Sequence, residues 1–135
     1  MNNENKIIIY QVFTRLFGNN NNHCVYNGDI VTNGCGKMAD FTLKALSEIK
    51  KLGTTHIWYT GIIEHATQTD YRRYNISPDH PAIVKGKAGS PYAIKDYYDV
   101  DPDLANDIPE RMREFENLVR RTHRAGLKVI IDFVQ

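Results

Sequence analysis

Three short runs of β-branched and aromatic residues, separated by two helical patterns, constrain this chain more than any other feature. Residues 7–13, IIIYQVF, are apolar nearly throughout, and residues 56–60, HIWYT, and 128–134, KVIIDFV, repeat that character. Strands apolar on successive residues, rather than alternate ones, call for cover on both faces, the condition of strands in parallel sheets. Between the first two runs, Met38, Phe41, Ala45, Leu46, Ile49 and Leu52 recur at helical spacing, and Gly53 stands where a left-handed C-cap belongs. Before the third run, Met112, Phe115, Leu118, Val119, Thr122 and Ala125 line one helical face, which Gly126 ends. Asp107-Ile-Pro-Glu110 ahead of that face has the form of a capping box with proline in the first turn. The order strand, helix, strand, helix, strand implies an α/β fold of parallel strands joined by right-handed crossovers. Three such strands leave both outer strands with unpaired backbone. The chain therefore reads as part of a larger sheet, and self-association through the exposed edges is expected.

Composition narrows the partners. With 135 residues and 41% hydrophobic content the chain can bury a core. A net charge of +1, spread along the sequence, provides no basic stripe for nucleic acid. The longest apolar run, Ile7 to Ile9, is far short of the roughly 18 residues of a membrane span, and MNNENK lacks a signal-peptide layout, so a cytoplasmic protein is expected. Cys24 and Cys35 share one loop without metal-ligand spacing and read as two unpaired thiols.

The two long connections hold the candidate chemistry. Residues 34–39, GCGKMA, fit a dinucleotide-binding fingerprint, but that mechanism needs the glycines directly after the first strand, and about twenty residues intervene. The Asn-rich loop, with Asn19 to Asn22, Asp29 and Asn33, offers oxygen ligands to calcium, yet lacks EF-hand spacing and reads first as turn formers. The five histidines share no metal-ligand spacing, so no metal site is assigned. From Gly61 to Ile108 no period holds, and a connection of that length is uncommon unless functional. It carries Tyr71, Tyr74, Tyr92, Tyr97 and Tyr98 among Asp70, Asp79, Asp96 and Asp99, a mixture suited to stacking on a sugar ring and bonding its hydroxyls. Asp132 ends the third strand, where an unpaired carboxylate is costly and where α/β sheets and barrels place ligand sites.

Several stretches together resemble the α-amylase family of glycoside hydrolases. IIIYQVFTRLFG is similar to that family's first barrel strand and turn, and ALSEIKKLGTTHIWYTGI to its first helix and second strand, with Gly61 in place of the usual proline. SPYAIKDYYDVDPDL resembles the loop whose tyrosine faces the sugar beside the scissile bond, and RAGLKVIIDFVQ the region in which an aspartate ends the third strand before Phe-Val-x-Asn-His. The resemblance implies a partial TIM (β/α)8 barrel: strands 1–3 and helices 1–2 with a long loop after strand 2. Residues 1–135 would be the N-terminal segment of the catalytic barrel, cut at the end of strand 3.

It implies a retaining enzyme acting on α-glucosidic bonds of starch-like glucans or oligosaccharides. Retaining catalysis needs two carboxyl groups roughly 5 Å apart. The family's nucleophile, acid/base and third carboxylate follow strands four, five and seven, so no catalytic residue is expected within this segment, which should be inactive alone. Two substrate-binding positions carry over: Tyr92, to stack on the sugar, and Asp132, to order the active-site floor by hydrogen bonding. Gln11, Arg15, His65 and Asp96 lie in matching stretches without an assigned role. The asparagine that often binds a structural calcium would fall beyond Gln135, so calcium is a candidate for the intact protein only. The alternative reading is a barrel relative without the carboxylates, serving in carbohydrate binding or scaffolding.

Overall fold

The structure, a computed structural model, describes residues 6–135. Its centre is a parallel sheet in the order β1-β2-β5, with β1 at Ile9–Phe13, β2 at His56–Thr60 and β5 at Lys128–Ile131. Ile57 pairs with Tyr10 on one side and Val129 on the other, and Trp58 with Gln11 and Ile130. These pairings put the three strands' helix-side residues in one row and the opposite-side residues in another.

Two helices cover one face. Thr42 caps α3, Leu43–Lys51, by accepting from the Ala45 amide. The helical pattern that starts at Met38 is therefore split: Met38–Asp40 form a separate 3-10 turn before this cap. Helix α4, Arg111–Arg124, follows a 3-10 turn at Ile108–Glu110. The expected capping box is not made, because Asp107 offers no side-chain bond to the helix; Glu114 instead reaches back to the Asn106 amide at 3.0 Å. Gly53 and Gly126 take positive φ at +87° and +80°, as their C-cap positions require.

Met38, Phe41, Leu46, Ile57, Tyr59 and Leu118 are completely buried between helices and sheet. Tyr59 sits edge-on to Phe41 at 4.9 Å and shares a 2.7 Å hydrogen bond with Thr122 Oγ1, so its hydroxyl is satisfied inside the core. Leu52, counted on the helical face by its spacing, lies beyond the last turn and is 69% exposed.

The other face of the sheet is open. Ile9 is 50% exposed and Phe13 36%, so β1 is not covered on both faces as its apolar run suggested. The long connection after β2 is also not structureless. It holds strand β3, Ile63–His65, paired antiparallel with β4, Ile94–Val100, with register shifts on both sides of Glu64. Two short helices, α1 at Thr14–Phe17 and α2 at Ile30–Asn33, follow β1. Among the described residues, no helix is long and apolar enough to cross a membrane.

Candidate functional site

The open sheet face carries the polar residues that the helix-covered face lacks. In β1 the side chain of Gln11 points to the same side as Ile9 and Phe13, and its Nε2 donates to Thr60 Oγ1 at 3.0 Å. Trp58, paired with Gln11 across the ladder, donates its indole N–H to Asp132 Oδ1 at 2.8 Å. The second oxygen, Asp132 Oδ2, is buried and receives no hydrogen bond. Asp132 is thus held by one oxygen with the other left as an acceptor, one residue beyond β5. A buried acceptor without a donor is unfavourable by roughly 1–3 kcal/mol, which makes this oxygen a place where a hydroxyl or cationic donor would be welcomed.

Tyr92 stands in the turn before β4, 49% exposed, its amide donating to Ser90 Oγ at 3.3 Å. A half-exposed ring held through its backbone is available to stack on a ligand. Further along β4, the Tyr97 hydroxyl donates to the Val134 carbonyl at 2.5 Å, and its ring meets Phe133 at 5.1 Å. The tyrosines therefore do different things. Tyr97 clamps the segment after β5, Tyr71 is buried, Tyr98 is 93% exposed, and Tyr92 is the one expected to face a sugar.

Beneath the C-terminal ends of β1 and β2 lies a charged cluster that sequence reasoning left unassigned. Arg15, in α1, pairs with Asp103 and stands 3.7 Å from Asp101 Oδ2. Asp101 and Asp103, after β4, are 1% and 0% exposed. The Tyr71 hydroxyl donates to Asp103 Oδ1 at 2.5 Å, the Asp103 amide donates to Asp101 Oδ1 at 3.0 Å, and Lys37 Nζ donates to the Asp103 carbonyl at 2.6 Å. His65 Nε2 stands 3.1 Å from Asp101 Oδ2, an ion-pair separation outside hydrogen-bonding alignment. Phe13, Thr60, His65 and Asp101 share the lining of one small recess, which puts the cluster directly under the strand ends.

Electrostatics follow from burial. Burial alone would lower the His65 pKa, but Asp101 beside it outweighs this and raises it. Burial, with Asp103 adding to it, raises the Asp101 pKa against the pull of His65 and Arg15. The Cys35 thiol is pushed up to about 11, chiefly by burial, which makes it an inert thiol. Cys24 and Cys35 are both free, as their spacing implied.

A cavity of about 560 Å³ lies to one side, between the loop after β1 and the segment after β3. Its walls include Arg15, Asn22, Asp29, Lys87 and Asp103, but neither Tyr92 nor Asp132. In the Asn-rich loop, most side chains are spent on backbone groups: Asn19 bonds the Asn33 carbonyl and Asn21 amide, Asn21 the Thr32 carbonyl, and Asp29 the Thr32 amide. That is turn formation. Glu64, Asp96 and Asp99 bring carboxylate oxygens within 4.8 Å of one another on the β3–β4 ribbon, where Arg111 pairs with Asp99 and Lys95 stands 3.8 Å from Glu64.

Comparison with known proteins agrees with this geometry. The structure of Bacillus licheniformis trehalose-6-phosphate hydrolase aligns with 96% of this chain at 25% identity and a TM-score of 0.58, over 17% of its own length. A maltogenic α-amylase from Thermotoga neapolitana aligns with 98% at 29% identity and a TM-score of 0.56, over 24% of its length. A curated rat relative, the amino acid transporter heavy chain SLC3A1, is 44% identical over 43 residues, 32% of this chain and 6% of that protein. The chain therefore spans less than a quarter of each of these relatives. The sheet, its two covering helices and the elaborated connection after β2 are a fragment of a TIM barrel. The model of the α-amylase catalytic domain matches residues 11–135, and the chain belongs to that family.

Proposed function

We propose that this chain supplies the first three barrel strands of a retaining glycoside hydrolase acting on α-glucosidic bonds of starch-like glucans or oligosaccharides, and that the segment alone is inactive. Asp132 carries the reading. Its Oδ1 is fixed by Trp58 while its buried Oδ2 has no donor, at the C-terminal end of a parallel strand, where barrels hold their substrates. In this role Asp132 binds and orders the floor of the site without attacking the sugar, and Tyr92 offers a half-exposed ring for stacking. The nucleophile and acid/base would come from outside residues 1–135. Calcium is a candidate for the intact protein; in the Asn-rich loop, Asn19 and Asp29 already accept backbone amides through their side-chain oxygens.

The test is hydrolysis of maltotriose by the intact protein and by the 135-residue chain. The intact protein is expected to hydrolyse it, and Asp132→Asn or Tyr92→Ala should each lower kcat/KM by about a hundredfold, the scale of a misplaced site. The 135-residue chain should show no turnover, and activity above its own Asp132→Asn control would refute the inactive-segment reading.

A second reading is a barrel relative that binds or scaffolds without catalysis. One observation favours it: the rat relative is named as a transporter heavy chain and not as a glycosidase. Calorimetric binding of maltotriose by the intact protein, with no hydrolysis, would decide for this reading.

A further inference from the structure

Trp58 is the only tryptophan of the chain and stands in the central strand, between Gln11 of β1 and Ile130 of β5. Asp132 follows Ile130 by two residues, which brings it to the same side of the sheet and diagonal to the indole. The backbone on either side of Asp132 is fastened. Ile131 pairs with Tyr59 in the ladder, and Tyr97 holds the Val134 carbonyl and packs its ring against Phe133 at 5.1 Å. Rotation of the carboxylate plane is the freedom that remains, because the terminal torsion of an aspartate is broad and roughly two-fold. The indole N–H removes it by donating to Oδ1 at 2.8 Å. The donors flanking this pair are engaged elsewhere, Gln11 Nε2 on Thr60 Oγ1 and the Tyr97 hydroxyl on Val134, so Oδ2 stays a buried acceptor without a donor.

We propose, on the reading of Asp132 as a substrate-binding group, that Trp58 is the positioning residue of the sugar site: it holds Asp132 by Oδ1 and thereby keeps Oδ2 as the acceptor for a substrate hydroxyl. The bond fixes polarity as well as angle. An indole has one N–H and no acceptor, so the atom that faces it must be an acceptor. A carboxylate has an acceptor to spare for the other side. A carboxamide in its place would turn its oxygen to the indole and present its NH2 outward, so that a hydroxyl that had donated to the carboxylate would meet a donor instead. Only with the indole N–H removed can the amide turn its oxygen outward. Trp58 therefore acts through Asp132, and the cost of losing it depends on what stands at that position.

The test is a double-mutant cycle of Trp58→Phe and Asp132→Asn in the intact protein, read as kcat/KM for maltotriose, or as its Kd where the protein binds without turnover. Trp58→Phe keeps an aromatic ring and removes the donor. With Asp132 in place it should lower kcat/KM by roughly tenfold, the scale of one hydrogen bond to a charged group. Added to Asp132→Asn it should cost nothing further, or recover part of the loss. An equal cost in both backgrounds would mean that Trp58 acts by packing alone and would overturn the proposal, as would a Trp58→Phe without effect. An Asp132→Asn without effect on turnover or affinity would instead overturn the reading of Asp132, and the role of Trp58 with it. In the 135-residue chain the single indole N–H gives one NMR signal. It should exchange with solvent roughly tenfold or more slowly than in the urea-unfolded chain, and shift in Asp132→Asn. Should Trp58→Phe not fold, this signal decides, since an indole proton exchanging at the unfolded rate, or unmoved by Asp132→Asn, shows that the bond is not made.

Discussion

The two faces of the parallel sheet are built from the same three strands and have opposite characters. On the helix side, Ile57 and Tyr59 are fully buried and Val12 is 8% exposed. On the other side, Ile9 and Phe13 remain exposed and the polar residues Gln11, Thr60, Trp58 and Asp132 are joined in hydrogen-bonded pairs. Strand alternation makes this separation automatic, since neighbouring residues must take opposite faces. The difference teaches that alternation sorts most of the packing to one face and leaves exposed apolar surface and a free acceptor on the other, although Thr60 on the open side is itself buried.

The comparison can be broken from the packed side first. Tyr59→Ala removes a fully buried ring and should destabilise the fold by about 3–5 kcal/mol, read from urea unfolding. Thr122→Val keeps the volume but leaves the Tyr59 hydroxyl without its partner, and a loss of about 1–3 kcal/mol is expected by the same measurement. On the open face, Ile9→Asp should change stability by no more than about 0.5 kcal/mol, because the side chain is already half in water. Its effect should appear in sedimentation: self-association of the chain at high concentration, expected from its unpaired edge strands and exposed face, should weaken. A destabilisation by Ile9→Asp comparable to that of Tyr59→Ala would mean that the two faces are not distinct.

The packed face was the more legible one. Leu46, Ile49, Leu118 and Thr122 recur at helical spacing, and the structure buries all four. The open face was misread as covered, because exposure to a missing neighbour leaves no mark on an apolar strand. The β3–β4 ribbon escaped notice because the charges of IKDYYDV fall at Lys95, Asp96 and Asp99 and not on alternate residues, and Glu64 sits at a register shift, so neither strand shows a clean period. Asp132 was identified by its position at a strand end, but its partner Trp58 was not, since that bond depends on the pairing register. The His65 cluster was invisible for a related reason. Arg15, His65, Asp101 and Asp103 come from three segments far apart in sequence, and only the assembled fold brings their charges together.

The Tyr97 clamp has a consequence in time. Its hydroxyl reaches the Val134 carbonyl, so the ribbon is fastened to the sheet only after the chain has been made past β5. Until then β3 and β4 can pair with each other through their own antiparallel ladder, ahead of the parallel β2–β5 pairing that needs the chain out to Ile131. During synthesis the ribbon can therefore pair before the three-stranded sheet is complete, and residues 128–134 both fasten the ribbon and complete the β2–β5 pairing.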